Sequence, residues 1–174
     1  PITISELNNP ISINAADIDG DGDMDVVSES SYDRVVGWFE NLDGLGSSFE
    51  AHLFPQLNEF NDPIITYPLD IDDDGDIDII SGGENIIYYE NIDGQGNFST
   101  PQVINSNRLE VESLTAVDLD GDGDKDLVAA DWINDVLFWH KNNGGGNYGP
   151  EQIISTDLVY SLSIVSADID NDGD

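Results

Sequence analysis

Asp17-Ile18-Asp19-Gly20-Asp21-Gly22-Asp23-Met24-Asp25 is the stretch on which the fold turns, because it comes back. It returns as Asp70-Ile71-Asp72-Asp73-Asp74-Gly75-Asp76-Ile77-Asp78 and as Asp118-Leu119-Asp120-Gly121-Asp122-Gly123-Asp124-Lys125-Asp126. It starts once more as Asp168-Ile169-Asp170-Asn171-Asp172-Gly173-Asp174, where the sequence stops. The first aspartates lie 53, 48 and 50 residues apart. A period of that size is the mark of a repeat architecture. Carboxylates crowded this closely repel one another unless a hard cation sits among them.

A second landmark keeps the same beat. Trp38-Phe-Glu40-Asn41-Leu-Asp43-Gly44-Leu-Gly46 matches Tyr88-Tyr-Glu90-Asn91-Ile-Asp93-Gly94-Gln-Gly96, fifty residues on. Fifty further lies Phe138-Trp-His140-Lys141-Asn-Asn143-Gly144-Gly-Gly146. Between landmarks the first repeat reads as four strands, at 11–18, 24–28, 34–41 and 49–54, rich in β-branched and aromatic residues and bounded by Gly, Asn and Asp. No stretch sustains a helical period with caps. The Asp43-Gly44, Asp93-Gly94 and Asn143-Gly144 pairs suit tight hairpin turns that need a positive φ. Four antiparallel strands per fifty residues describe an all-β fold of β-propeller blades. Adjacent aromatics such as Trp38/Phe39, Tyr88/Tyr89 and Phe138/Trp139 point to opposite faces, as a blade packed on both sides requires.

The phase of the repeat predicts a single domain over 1–174, with blades at about 11–54, 64–105 and 114–155. Residues 1–9 resemble the fourth strand of a blade, and 160–174 a truncated one. A closed propeller takes at least about four blades. The sequence is therefore read as a partial propeller, completed by the remaining blades of a parent chain or by self-association through open blade faces.

Calcium takes six to eight oxygens at roughly 2.3–2.6 Å in a flexible shell, with side chains at loop positions 1, 3 and 5, a backbone carbonyl at 7 and a glycine at 6 for the turn. Here the carboxylate at position 9 completes the set. The expected ligands are Asp17, Asp19, Asp21, Asp23 (by its carbonyl) and Asp25 in the first loop. They are Asp70, Asp72, Asp74, Asp76 and Asp78 in the second, and Asp118, Asp120, Asp122, Asp124 and Asp126 in the third. Asp168, Asp170, Asp172 and Asp174 begin a fourth, truncated set. Magnesium gives up its waters reluctantly and zinc prefers nitrogen or sulfur. An EF-hand would carry glutamate at position 12. That position is Ser28, Ser81 and Ala129, and β-formers follow each loop.

The Asp-x-Asp-x-Asp-Gly-x-x-Asp loop, followed by an aromatic-x-Asn-x-Asp-Gly-x-Gly-x-Phe segment, resembles FG-GAP/VCBS-type repeats, which form the calcium-binding propellers of integrin α subunits and of many secreted bacterial proteins. The resemblance covers nearly the whole chain. It implies that calcium pins the hairpin between the first and second strands of each blade.

Composition narrows the function. The chain has 174 residues and a net charge of -33, and 20 of its 37 acidic residues lie in the four loops. Only Arg34, Arg108, Lys125 and Lys141 are basic, which argues against nucleic acid and anionic membranes as partners. No apolar run is long enough to span a bilayer as a helix. Cysteine is absent, so thiolate metal sites are excluded. Multiple all-oxygen sites of moderate affinity fill where calcium is millimolar, which implies a secreted or cell-surface protein. The chain begins at Pro1 without methionine and is read as a processed or excised segment.

Catalysis finds little support. His52 and His140, the only histidines, occupy different repeat positions, and Glu40 and Glu90 recur as architecture. No nucleophile elbow, phosphate loop or zinc signature appears. Binding is the better reading, with a glycan or protein ligand on the face opposite the acidic loops. The candidates there are Tyr32, Asp33, Trp132 and Asn134 in the second-to-third strand turns, and Arg108 and Tyr160 between blades. An aromatic beside amide and acid groups can stack on a sugar and bond its hydroxyls. The competing reading is the propeller portion of a secreted carbohydrate-active enzyme.

Overall fold

The computed structural model describes residues 3–4, 7–54, 62–106, 108, 110–158 and 163–167. Among them the chain is all β, with twelve strands and no helix. The first sheet is the meander β1 (Pro10–Ala16), β2 (Asp25–Ser30), β3 (Val35–Asn41) and β4 (Phe49–Leu53). The second is β5 (Pro63–Leu69), β6 (Asp78–Gly83), β7 (Ile86–Tyr89) and β8 (Gln102–Asn105). The third is β9 (Val111–Val117), β10 (Asp126–Asp131), β11 (Val136–Asn142) and β12 (Tyr148–Ser155). Each acidic loop joins the first two strands of its sheet. Tyr160, Asp168, Asp170, Asp172 and Asp174 lie outside the described residues, as do Ile2 and Ser5 of the expected leading strand.

The sheets pack face to face, with β5 against both β1 and β9. Ile18, Val27, Val36 and Trp38 of the first sheet meet Ile79, Ile87 and Tyr89 of the second. Ile71, Ile80, Ile86 and Tyr88 then meet Val111, Leu114, Leu127, Ala129 and Phe138 of the third. The second sheet is thus apolar on both faces, which accounts for the unbroken burial of β6 and β7. β1 ends at Ala16, short of the expected 18, because Ile18 turns inward to the core while its N–H goes to Asp25.

Two details of the sequence reading change. The β3–β4 connection, from Asn41 to Phe49, is longer than the tight turn expected, while Gly44, Gly94 and Gly144 take the expected positive φ. Asp43 Oδ1 accepts the N–H groups of Leu45 (3.0 Å) and Ser47 (3.1 Å), and only the glycines Gly44 and Gly46 have positive φ there. The third repeat is also slipped by one residue. Val26 pairs with Phe39 and Ile79 with Tyr89, but Leu127 pairs with His140. The equivalent of Trp38/Phe39 is therefore Trp139/His140, and Lys141 takes the place of Glu40 and Glu90. The slip is made up in the following turn. Gly96 packs on Trp38 and Gly146 on Tyr88, where a Cβ would fall 2.5 Å and 2.7 Å from the ring. Each turn so covers an aromatic of the preceding sheet.

The first two sheets share a buried acid. Glu29 Oε1 accepts Ser12 N (2.9 Å), and Oε2 accepts Ser12 Oγ (2.7 Å) and Thr66 Oγ1 (2.6 Å). Glu29 is fully buried, and burial pushes its carboxyl above the usual range, outweighing those hydrogen bonds. A raised folded value means that the favourable contribution is present below the unfolded value of 4.5 and is lost as pH rises through the folded one. Glu29→Gln keeps the shape without the charge, and both hydroxyls can turn to accept from its amide. The variant should melt above the parent at neutral pH, with the gap closing on acidification. Thermal melts across pH in chelator would show it, and a destabilised Gln variant at neutral pH would contradict it.

Candidate metal centres

The loops are built by their own backbone. Asp17 Oδ2 accepts Gly22 N (3.0 Å), Asp19 Oδ1 accepts Asp21 N (3.2 Å), and Asp21 Oδ1 accepts Asp23 N (2.8 Å). The second loop repeats the last two, Asp74 N to Asp72 Oδ1 (3.3 Å) and Asp76 N to Asp74 Oδ1 (2.9 Å). Position 6 needs glycine, since Gly22, Gly75 and Gly123 have φ of 94°, 98° and 99°.

Three acidic triads result, each with oxygens within 4.8 Å of one another. They are Asp17, Asp19 and Asp25; Asp70, Asp72 and Asp78; and Asp118, Asp120 and Asp122. Each could hold a metal ion. The first two use positions 1, 3 and 9, the third positions 1, 3 and 5. Asp21 and Asp74 stand on exposed turns, and the side chains of Asp23, Asp76 and Asp124 lie outside the triads. The donors are all oxygen, which suits a hard cation. Asp17 Oδ1 and Asp70 Oδ1 are buried without a hydrogen-bond partner. A buried carboxylate oxygen left so is costly unless a cation meets it.

Position 9 has a second task. Asp25 accepts Ile18 N (3.0 Å) and Asn41 N (2.8 Å), Asp78 accepts Ile71 N (3.0 Å) and Asn91 N (2.8 Å), and Asp126 accepts Leu119 N (3.0 Å) and Asn142 N (2.8 Å). Each carboxylate ties the start of its loop to the end of the third strand, and all three are buried. Burial raises their carboxyls against those hydrogen bonds, Asp78 to about 7. Burial and then neighbouring carboxylates also raise Asp19 and Asp72. Glu40 and Glu90 are among those neighbours. A bound cation would reverse this pressure by favouring the ionised forms.

The sequence reading missed the asparagines that complete the loops. Asn41 Nδ2 donates to Met24 O (3.3 Å) and Asn142 Nδ2 to Lys125 O (3.2 Å). Asn91 Nδ2 donates to Ile77 O (3.2 Å) and across to Ile18 O (2.8 Å), so it links the second sheet to the first acidic loop. Their recurrence was visible at 41 and 91, whereas the slip hid Asn142. The third loop departs in charge as well. Lys141 Nζ bonds Asp120 Oδ2 and Asp122 Oδ2, the latter at 2.7 Å, and Lys125 Nζ reaches Asp73 of the second loop. The Lys141 ammonium holds the Asp122 carboxyl below the usual range.

At the other end of the sheets, most candidate ligand residues have internal partners. Asp33 accepts Asn8 N (2.7 Å) and Asn8 Nδ2. Asn134 donates from N (3.1 Å) and Nδ2 (2.7 Å) to Asp131. Arg108 lies 4.6 Å from the Phe138 ring centroid and pairs with Glu151. Trp132 is half-buried, while Tyr32 is 80% exposed at its turn. The turns 31–34 and 132–135 are equivalent, with Arg34 (φ 57°) matching Asp135 (φ 53°). Among the described residues no helix is long and apolar enough to cross a membrane.

No curated protein matches the chain. A solved structure of an Agrocybe aegerita lectin, described as specifically recognising non-reducing terminal N-acetylglucosamine, aligns with 86% of this chain at 21% identity and a TM-score of 0.56. The chain spans 39% of that lectin's length, and the likeness is one of fold. The model of the FG-GAP-like repeat matches twice in tandem, over 70–129 and 118–174, each match opening on the first aspartate of an acidic loop. Most of the chain is thereby accounted for, and the protein belongs to the FG-GAP-like repeat family.

Proposed function

We propose that the three sheets are consecutive blades of an extracellular β-propeller module, stabilised by calcium and used to bind a glycan or protein ligand. The orphaned buried oxygens of Asp17 and Asp70 carry the metal half of this reading. Calcium would supply there the positive charge that the position 1, 3 and 9 carboxylates lack, and each loop would fasten the first two strands of its blade. Recurrence of the same loop from blade to blade favours a structural role over a switch. The remaining blades of a parent chain, or a second copy, would cover the first sheet's outer face, where Ile11 (47%) and Ile13 (70%) are exposed.

The ligand half rests on the second-to-third strand turns, which lie at the opposite end from the acidic loops. Tyr32 offers an open ring there, and Ile133, its equivalent, is 47% exposed beside Trp132. The lectin of similar fold supports a glycan as the first ligand to try. A glycan array, including terminal N-acetylglucosamine, probed with calcium-loaded protein should give binding that Tyr32→Ala lowers about tenfold, in line with a stacked aromatic. Binding untouched by Tyr32→Ala would remove this face from the site, and an array and a protein-capture screen that are both blank would refute the binding role.

A further inference from the structure

The third acidic loop differs from the other two in three respects, and each concerns cations. Its first aspartate is already satisfied, since Asp118 Oδ1 accepts Gly121 N (2.8 Å) and Asp122 N (3.1 Å), and Oδ2 accepts Gly123 N (2.9 Å). No oxygen of Asp118 is orphaned as Asp17 Oδ1 and Asp70 Oδ1 are. Strand register places Lys141 where the first two sheets carry Glu40 and Glu90, and its ammonium sits on Asp120 and Asp122, two of the three acids of the triad. Lys125 occupies position 8, where the other loops have Met24 and Ile77, and reaches back to Asp73. The first loop thus has five aspartates and a glutamate, and the third has five aspartates and two lysines.

We infer that Lys141 is the built-in counter-ion of the third loop, so that calcium fills the first two loops and enters the third only by displacing the Lys141 ammonium from Asp120 and Asp122. The inference rests on reading the loops as calcium sites. Calcium needs six or more oxygens, and its affinity in such loops is tuned by the count of ligand charges. A lysine that holds two of the carboxylates competes for them directly. It also leaves a positive charge beside the ion after displacement, where Glu40 and Glu90 would attract it. This competition and the lost negative charge together should weaken the third loop about tenfold or more against the first two. Lys141 and Lys125 act in its place, one closing the loop on itself and the other joining it to the second loop. This sheet would hold its shape in calcium concentrations that empty the others.

Calorimetric titration with calcium chloride tests this on the full chain, on Lys141→Glu and Lys141→Gln, and on each of these with Asp118→Asn. With Lys141 present, Asp118→Asn should leave the number of tight equivalents unchanged. Lys141→Glu should add one equivalent that Asp118→Asn then removes. Lys141→Gln, which removes the positive charge without adding a negative one, should add a weaker one. A tight equivalent lost from the Lys141 protein on Asp118→Asn, or a Lys141→Glu protein that titrates as the parent does, overturns the inference. Tight binding unaffected by Asp17→Asn and Asp70→Asn, or absent altogether, would overturn the calcium reading of the first two loops as well.

Discussion

Removing calcium should lower the melting temperature of this protein by roughly 10–20 °C. The expectation follows from linkage. A ligand that binds only the folded chain at about a hundred times its Kd adds about 2.7 kcal/mol per site. Two such sites, at the first and second loops, give about 5 kcal/mol. For a chain of 150–250 residues each kcal/mol moves the midpoint by roughly 2–4 °C. The physical source is local. Without a cation, Asp17 Oδ1 and Asp70 Oδ1 are buried without partners, and Asp19 and Asp72 are held among like charges. The first two loops then keep that repulsion inside the hairpins that they close. Melts in EDTA and in excess calcium chloride measure the difference, with magnesium as the control for simple charge screening. Superimposed EDTA and calcium curves would exclude a stabilising role for the metal, and a shift matched by magnesium would exclude calcium selectivity.

Much of this arrangement was legible from the chain alone. The acidic loops and the β-branched runs beside them located the first two strands of each sheet, because alternation and turn residues are local signals. The Trp38 and Tyr88 segments located the third strands for the same reason. What the sequence hid was relative placement. The landmark at 138–146 matches by its glycines, yet its strand is displaced by one residue and the turn absorbs the difference. A match made on Gly146 therefore put Lys141 opposite Asn91, when pairing puts it opposite Glu90. That single step decides whether the third loop faces a cation or an anion. The reach of long side chains was equally hidden, as with Lys125 spanning to Asp73. So was the internal employment of Arg108 and Asn134, since composition marks a residue as polar without saying which partner holds it.

The double use of position 9 was also out of sight, and it separates two aspartates that look interchangeable in the loop. Asp78→Ala should destabilise the protein by roughly 3–6 kcal/mol even in EDTA, whereas Asp74→Ala should change it by less than about 0.5 kcal/mol there. Asp78 is fully buried and accepts Ile71 N, Asn91 N and the Tyr88 hydroxyl (3.2 Å). Alanine leaves those donors unpaired in a dry site, at about 1–3 kcal/mol apiece. Asp74 is exposed and accepts Asp76 N, so its loss is made good by water and relieves repulsion. With calcium present the gap should persist or widen, because Asp78 belongs to the oxygen triad and Asp74 does not, so Asp78→Ala forfeits binding energy as well. Urea unfolding of both variants in EDTA and in calcium separates the cases. If Asp78→Ala proves too unstable to purify, Asp78→Asn, which keeps one acceptor oxygen, should fall between them. Equal midpoints for the Asp74 and Asp78 variants in EDTA would mean that position 9 acts only through the metal. A large Asp78 deficit that calcium does not repair would mean that this carboxylate fastens the sheet before any ion arrives.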